Sequence, residues 1–198
     1  MDIKLTTQAV KDIACDAFIV AAARKSGEAG VELSAPASTI DSTLSGLIAE
    51  RCADGEFKGT LGELLTIHPH NKLGAKRVVV VGLGAQEKVD TQAVRRASAI
   101  AARHLQKTGA KTIAVAGGFA SDNFQEVEEA QAAIEGILLG TYSFRAYQNK
   151  ENASSISQVL LVSTQEQKAE FEQALHRAQA LAEGTNFARS LINEPPTS

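Results

Sequence analysis

Residues 76–118 read KRVVVVGLGAQEKVDTQAVRRASAIAARHLQKTGAKTIAVAGG, a strand, a helix and a second strand in succession. Val78 to Val81 form an unbroken apolar run, which suits a strand covered on both faces and predicts a central place for it in the sheet. The period then becomes helical. Asp90 and Thr91 offer N-cap oxygens, and Val94, Ala97, Ala101 and Leu105 recur at the spacing of one helix face. That face is small and alanine-rich, so the helix can lie close on a sheet. KTIAVAGG (111–118) returns to a strand and closes on paired glycines.

The same alternation extends in both directions and predicts an α/β fold: a mixed, largely parallel sheet flanked by helices. Upstream, DAFIVAAAR (16–24) reads as a buried strand, STIDSTLSGLIAERCADG (38–55) as one helix with Leu44, Leu47, Ile48 and Cys52 on a face, and TLGELLTIHP (60–69) as a further strand. Downstream, DNFQEVEEAQAAIEGILLG (122–140) reads as a helix whose core stripe is Val127, Ala130, Ile134, Ile137 and Leu138. Asp122, Glu126, Glu128 and Glu129 read as helix-start and solvated charges, and Gly136 and Gly140 would admit a close neighbour. After a polar loop (147–158), SISQVLLVST supplies a last strand, and Phe171, Leu175, Ala178, Ala182, Thr185, Ala188 and Ile192 space out a long helix that Pro195 and Pro196 cannot continue.

With 198 residues, 44% hydrophobic and 22% charged, the chain has a globular composition. Its apolar runs are strand-sized, so no membrane span is expected. The start lacks the pattern of a secretory leader, and Cys15 and Cys52 have no Cys-x-x-Cys spacing, so both read as packed thiols. A cytoplasmic location is the expectation. A net charge of −3 gives no general reason to expect nucleic acid, although Arg95, Arg96, Arg103 and Lys107 put positive charge along one helix.

Few motifs suggest chemistry. Gly82 and Gly84 have the spacing of a dinucleotide fingerprint, but Glu87 stands where its third glycine belongs, and a tight strand-to-loop turn explains the pair equally well. His68 and His70 could share a metal only if further ligands arrived from elsewhere; a solvated turn is the plainer reading. Tyr142, Phe144 and Tyr147 could stack a base, although core or interface packing is their usual role. Serine-hydrolase, zinc-protease and phosphate-loop signatures are absent.

Three stretches together, KRVVVVGLGAQEKVDTQAVRRASAIAARHLQ, VEEAQAAIEGILLGTYSFRAYQNK and LAEGTNFARSLINEPPTS, resemble the N-terminal part of the M17 leucyl (cytosol) aminopeptidases. The resemblance implies a macro-domain-like α/β domain over residues 1–164. Residues 165–198 would be a linker helix and the start of a crossing, Asn193, Glu194, Pro195 and Pro196, to a C-terminal catalytic domain absent from this chain. It further implies that the parent releases N-terminal residues such as leucine from peptides by two-metal hydrolysis, with zinc, manganese or magnesium, and assembles as a homo-hexamer. The metal ligands and catalytic residues would all lie beyond residue 198, so this chain is expected to hold no cofactor, bind no peptide and be inactive, with a structural or interdomain role. The alternative is a stand-alone macro-like module whose glycine turns at Gly82–Gly84 and Gly117–Gly118 hold a phosphate-bearing ligand or, less consistently with the charge, nucleic acid. Without a partner, the apolar stripe of the last helix is expected to fold back on the domain or pair with another copy.

Overall fold

The computed structural model describes residues 1–117, 125–144, 156–163 and 166–194. Within them the chain runs β1 (Asp2–Thr6), β2 (Ala17–Arg24), β3 (Val31–Leu33), α1 (Ala35–Thr43), α2 (Leu47–Ala53), β4 (Leu64–Ile67), β5 (Val78–Ala85), α3 (Thr91–Lys107), β6 (Thr112–Ala116), α4 (Glu126–Gly140), β7 (Gln158–Val162) and α5 (Lys168–Asn193). One sheet takes the order β1-β7-β6-β2-β5-β4, and β3 adds to the end of β2. Strands β1, β7, β6, β2 and β5 are parallel, whereas β3 and β4 run antiparallel to their neighbours. The mixed, largely parallel sheet anticipated from the alternation is therefore present.

Strands β2 and β5 lie side by side, Phe18 to Ala22 against Val78 to Gly82. Their side chains alternate between two cores, as the two-residue period of a strand requires. Ile19, Ala21, Val79 and Val81 face α3, α4 and α5, together with Val94, Ala101, Ile134 and Phe171. Phe18, Val20, Val78 and Val80 face α1 and α2, with Ile40, Ile48 and Phe57. A strand covered on both sides must be apolar on both, which is why β5 reads as a run of valines. Position differs slightly from expectation: β5 is an inner strand next to the β4 edge, and β2 holds the middle.

Residues 38–55 do not form one helix. The chain breaks at Ser45 and Gly46, both at positive φ (63° and 83°), and the buried carboxylate of Asp41 turns back to accept the Ile48 amide at 2.6 Å. An aspartate on the first helix thus supplies the N-terminal acceptor of the second, and a helical period spanning the break hides the stop. The short strands β1 and β3 were not anticipated either; five and three residues give too little alternation to stand out.

Asp16 fastens the amino ends of three strands. Its carboxylate accepts the Lys111 and Thr112 amides at 2.8 and 3.0 Å and the Lys76 ammonium at 2.8 Å. Those bonds, with that to Lys76 the largest influence, lower its pKa to about 2. Next to it the buried Cys15 thiol is pushed up to about 12, by burial first and by the Asp16 charge second; burial likewise raises Cys52. Both are free, packed thiols with little thiolate character.

Helices α3 and α4 touch backbone to backbone. A Cβ on Gly136 would lie 2.2 Å from the Arg95 carbonyl oxygen, and one on Gly140 would lie 2.7 Å from Ala99, so both glycines are required by the close approach. Across the same seam Arg95 pairs with the buried Glu135 at 2.6 Å. Glu129 corrects the sequence reading: it is buried, only 1% exposed, and is not a solvated helix-start charge.

Candidate interdomain interface

Helix α5 changes character along its length. Phe171, Ala174, Leu175, Ala178 and Ala182 are buried, and Phe171, Leu175 and Ala178 belong to the main core. Beyond Ala182 the inward positions turn polar. Ala178, Ala182, Asn186 and Ser190 follow one another at intervals of four, one line down a helix face, and its last two members reach the end of α4 and the segment after it.

Those polar groups complete the carboxyl end of α4. The last carbonyls of a helix have no intrahelical donor and carry its negative pole. Here Asn186 Nδ2 donates to the Leu138 carbonyl at 3.3 Å and Arg189 Nη1 to the Leu139 carbonyl at 3.1 Å. From α3, Arg103 donates to Gly140 and Gln106 to Thr141. The Arg189 guanidinium also lies 4.2 Å from the Tyr142 ring centre, and the Tyr142 hydroxyl is 2.9 Å from Ser190 Oγ. Tyr142 therefore packs the segment after α4 against α5. Tyr147, from the same aromatic group, lies outside the described residues.

The opposite face of the same segment is apolar and bare. Leu181, Phe187, Leu191 and Ile192 are 57%, 65%, 56% and 83% exposed. Thr185, Ala188 and Ile192, expected to continue the core stripe, are exposed as well. The expected fold-back thus holds for the first half of α5 and fails for the second, because the inward line there carries Asn186 and Ser190 in place of apolar side chains. Asn193 donates to the Arg189 carbonyl at 2.8 Å, and at Glu194 the backbone leaves the helix for extended geometry. Both are exposed; Pro195 and Pro196 lie outside the described residues. The sequence reading placed the crossing on these four polar and proline positions and missed the four exposed apolar ones just before them. The mixture in NFARSLI, with Asn, Arg and Ser spaced to face one way and Phe, Leu and Ile the other, was the available signal.

The remaining candidates resolve into packing. A Cβ on Gly82 would lie 2.0 Å from the Thr60 carbonyl oxygen, and Gly84, at φ 89°, donates its amide to the Gly59 carbonyl at 2.9 Å. The Gly-x-Gly spacing serves the segment that crosses the end of β5. Gly117 faces the Phe171 ring, 3.2 Å from where a Cβ would stand; Gly118 and Asp122 lie outside the described residues. His68 and His70 are exposed in a turn, with His70 and Asn71 at positive φ. Among the described residues no group of three or more His, Cys, Asp or Glu could hold a metal ion, and no helix is long and apolar enough to cross a membrane. Of the α3 cations, Arg95 and Arg103 are engaged by α4, which weakens the idea of a continuous basic stripe.

Comparison with known proteins gives a consistent picture. Residues 19–151 match the family model described as cytosol aminopeptidase family, N-terminal domain. A probable cytosol aminopeptidase of Streptomyces griseus is 33% identical over 97% of this chain and 39% of its own length; that of Thermosynechococcus vestitus is 30% identical over 98% and 38%. The chain thus spans about two fifths of the length of these relatives. Among solved structures, a tomato leucine aminopeptidase variant aligns over 98% of this chain and 38% of its own, with a TM-score of 0.76 and 20% identity. The bottromycin maturation enzyme BotP, in complex with Mn, aligns over 92% and 32%, with a TM-score of 0.63 and 24% identity.

Proposed function

Because the chain belongs to the cytosol aminopeptidase family, as its N-terminal domain, we propose that it is the non-catalytic part of a metalloaminopeptidase. The whole protein would release N-terminal amino acids such as leucine from peptides in the cytoplasm, with two divalent metal ions polarising the carbonyl and activating water. Zinc, manganese or magnesium would be bound by the catalytic domain, and BotP, described in complex with Mn, is in keeping with manganese. On this reading residues 1–164 form the domain proper and residues 165–198 its linker, the first half of which packs on the domain's core. Its role is structural: it carries the catalytic domain on the outer face of α5, within a homo-hexamer.

The observation that carries this reading is the outer face itself. Leu181, Phe187, Leu191 and Ile192 stand exposed at the end of α5, in a chain covering about two fifths of its relatives. Covering one such side chain is worth roughly 1.5–3 kcal/mol, and the segment that would follow in a longer relative starts beside them. The test compares two proteins, this 198-residue chain and a form continued through a relative's catalytic domain, each given manganese or zinc and a leucyl anilide. Only the longer protein should turn over substrate. Metal-dependent hydrolysis by the pure 198-residue chain would overturn the assignment of catalysis to the other domain.

A further inference from the structure

At the carboxyl ends of β2 and β5 the chain leaves the sheet in opposite directions. After Arg24 it returns through β3, within the sheet, to α1 and α2, which pack on one face; after Ala85 it proceeds to α3 on the other. Neighbouring parallel strands that part in this way open a crevice, the usual place for a ligand in an open α/β sheet. Here the crevice is a cavity of about 340 Å³ whose lining includes Arg24, Leu61, Leu83, Lys88 and Arg96, a volume within the range of small-molecule sites. We propose that this cavity binds an organic phosphate, its phosphate held by Arg24, Lys88 and Arg96 and its body lying against Leu61.

The charge distribution supports an anion. Three exposed cations from three different segments line one hollow, and together they favour an anion there. Among the described residues Arg96 has no ion pair. The nearby acids compensate only in part: Asp90, also in the lining, accepts the Ala93 amide at 2.6 Å as the α3 cap, and Glu87 is the carboxylate close to both Lys88 and Arg24. The helix end is thus already capped, and side chains do the gripping. Leu61, unusually exposed for its type at 37%, gives the hollow an apolar wall that inorganic phosphate would not use.

The proposal makes no use of the catalytic domain, so its failure would leave the aminopeptidase reading intact, and the reverse holds too. The test is calorimetric titration of the 198-residue chain with ADP and with inorganic pyrophosphate. A saturable isotherm for ADP is expected, with Kd about 1 mM or tighter. Arg96→Glu and Lys88→Glu should each weaken it by about tenfold or more, while Arg51→Glu, on α2 and outside the lining, should leave it unchanged. All three are surface side chains, and circular dichroism checks that the fold is kept; Arg96→Gln and Lys88→Gln replace any reversal that unfolds. Flat isotherms with both probes to about 10 mM, or binding that the Arg96 and Lys88 changes leave untouched, would overturn it.

Discussion

The two halves of α5 are built from one continuous helix on opposite plans. From Lys168 to Ala182 apolar side chains face inward, in the ordinary pattern of a helix on a sheet. From Glu183 onward polar side chains face inward, onto the carbonyls and aromatic ring at the end of α4, and apolar ones face out. The first half is held by burial, which is non-directional; the second is held by hydrogen bonds, which fix rotation and height. A helix that must place an apolar face at a set angle for another domain is better served by the second arrangement.

The strongest way to break this comparison is Phe171→Ala. If the first half is held by burial, denaturant unfolding should show a loss of about 3–5 kcal/mol. Arg189→Ala removes a carbonyl's donor and the contact with Tyr142, and should cost about 1–2 kcal/mol by the same measurement. A larger loss than for Phe171→Ala would reverse the ranking of the two halves.

Acid supplies a third comparison, because the contacts of Phe171, Leu175 and Ala178 involve no charge. The largest single acid-sensitive share should trace to Asp16, whose carboxyl is lowered to about 2 when folded against an ordinary 3.8, with Glu63, held down by the Thr60 and Lys58 amides, adding a smaller share in the same direction. A depressed folded pKa means stability fully present above about pH 4 and lost as the pH falls towards 2. The Asp16 contribution, discounted for solvent screening, is about 1 kcal/mol. Asp16→Asn should reduce the slope of an acid titration followed by circular dichroism more than Glu63→Gln does. The smallest effect belongs to the outer face: Phe187→Ala and Ile192→Ala should change the stability of this chain by no more than about 0.5 kcal/mol. In a protein that includes the catalytic domain, the same changes should loosen its attachment, read as faster proteolytic separation.

Much of this was legible in the sequence. The valine run of β5 and the strand at 16–24 are unbroken apolar runs and the alanine face of α3 is strictly periodic, and both kinds of pattern survive without knowledge of neighbours. The break at Ser45 and Gly46 was not legible, because the helical spacing carries across it and the deciding group, Asp41, acts through a bond seven residues away. The inversion in α5 was hidden similarly: spacing shows that a face exists, but Asn186 and Arg189 point inward only because α4 ends opposite them. Gly82 suggested phosphate chemistry, whereas its cause is the carbonyl of Thr60, a contact formed by a segment some twenty residues earlier.

The pairing of β1 with β7 also sets a schedule. Asp2 sits opposite Gln158, so β1, made before the other strands of this sheet, waits for a partner made about 156 residues later. At roughly 5–20 residues per second this is on the order of 8–30 s. Meanwhile β2, β5 and β6 can already associate. Strand β1, though made before the rest of the sheet, joins it among the last, and a nascent chain arrested before β7 should carry a protease-sensitive β1 segment beside an otherwise assembled sheet.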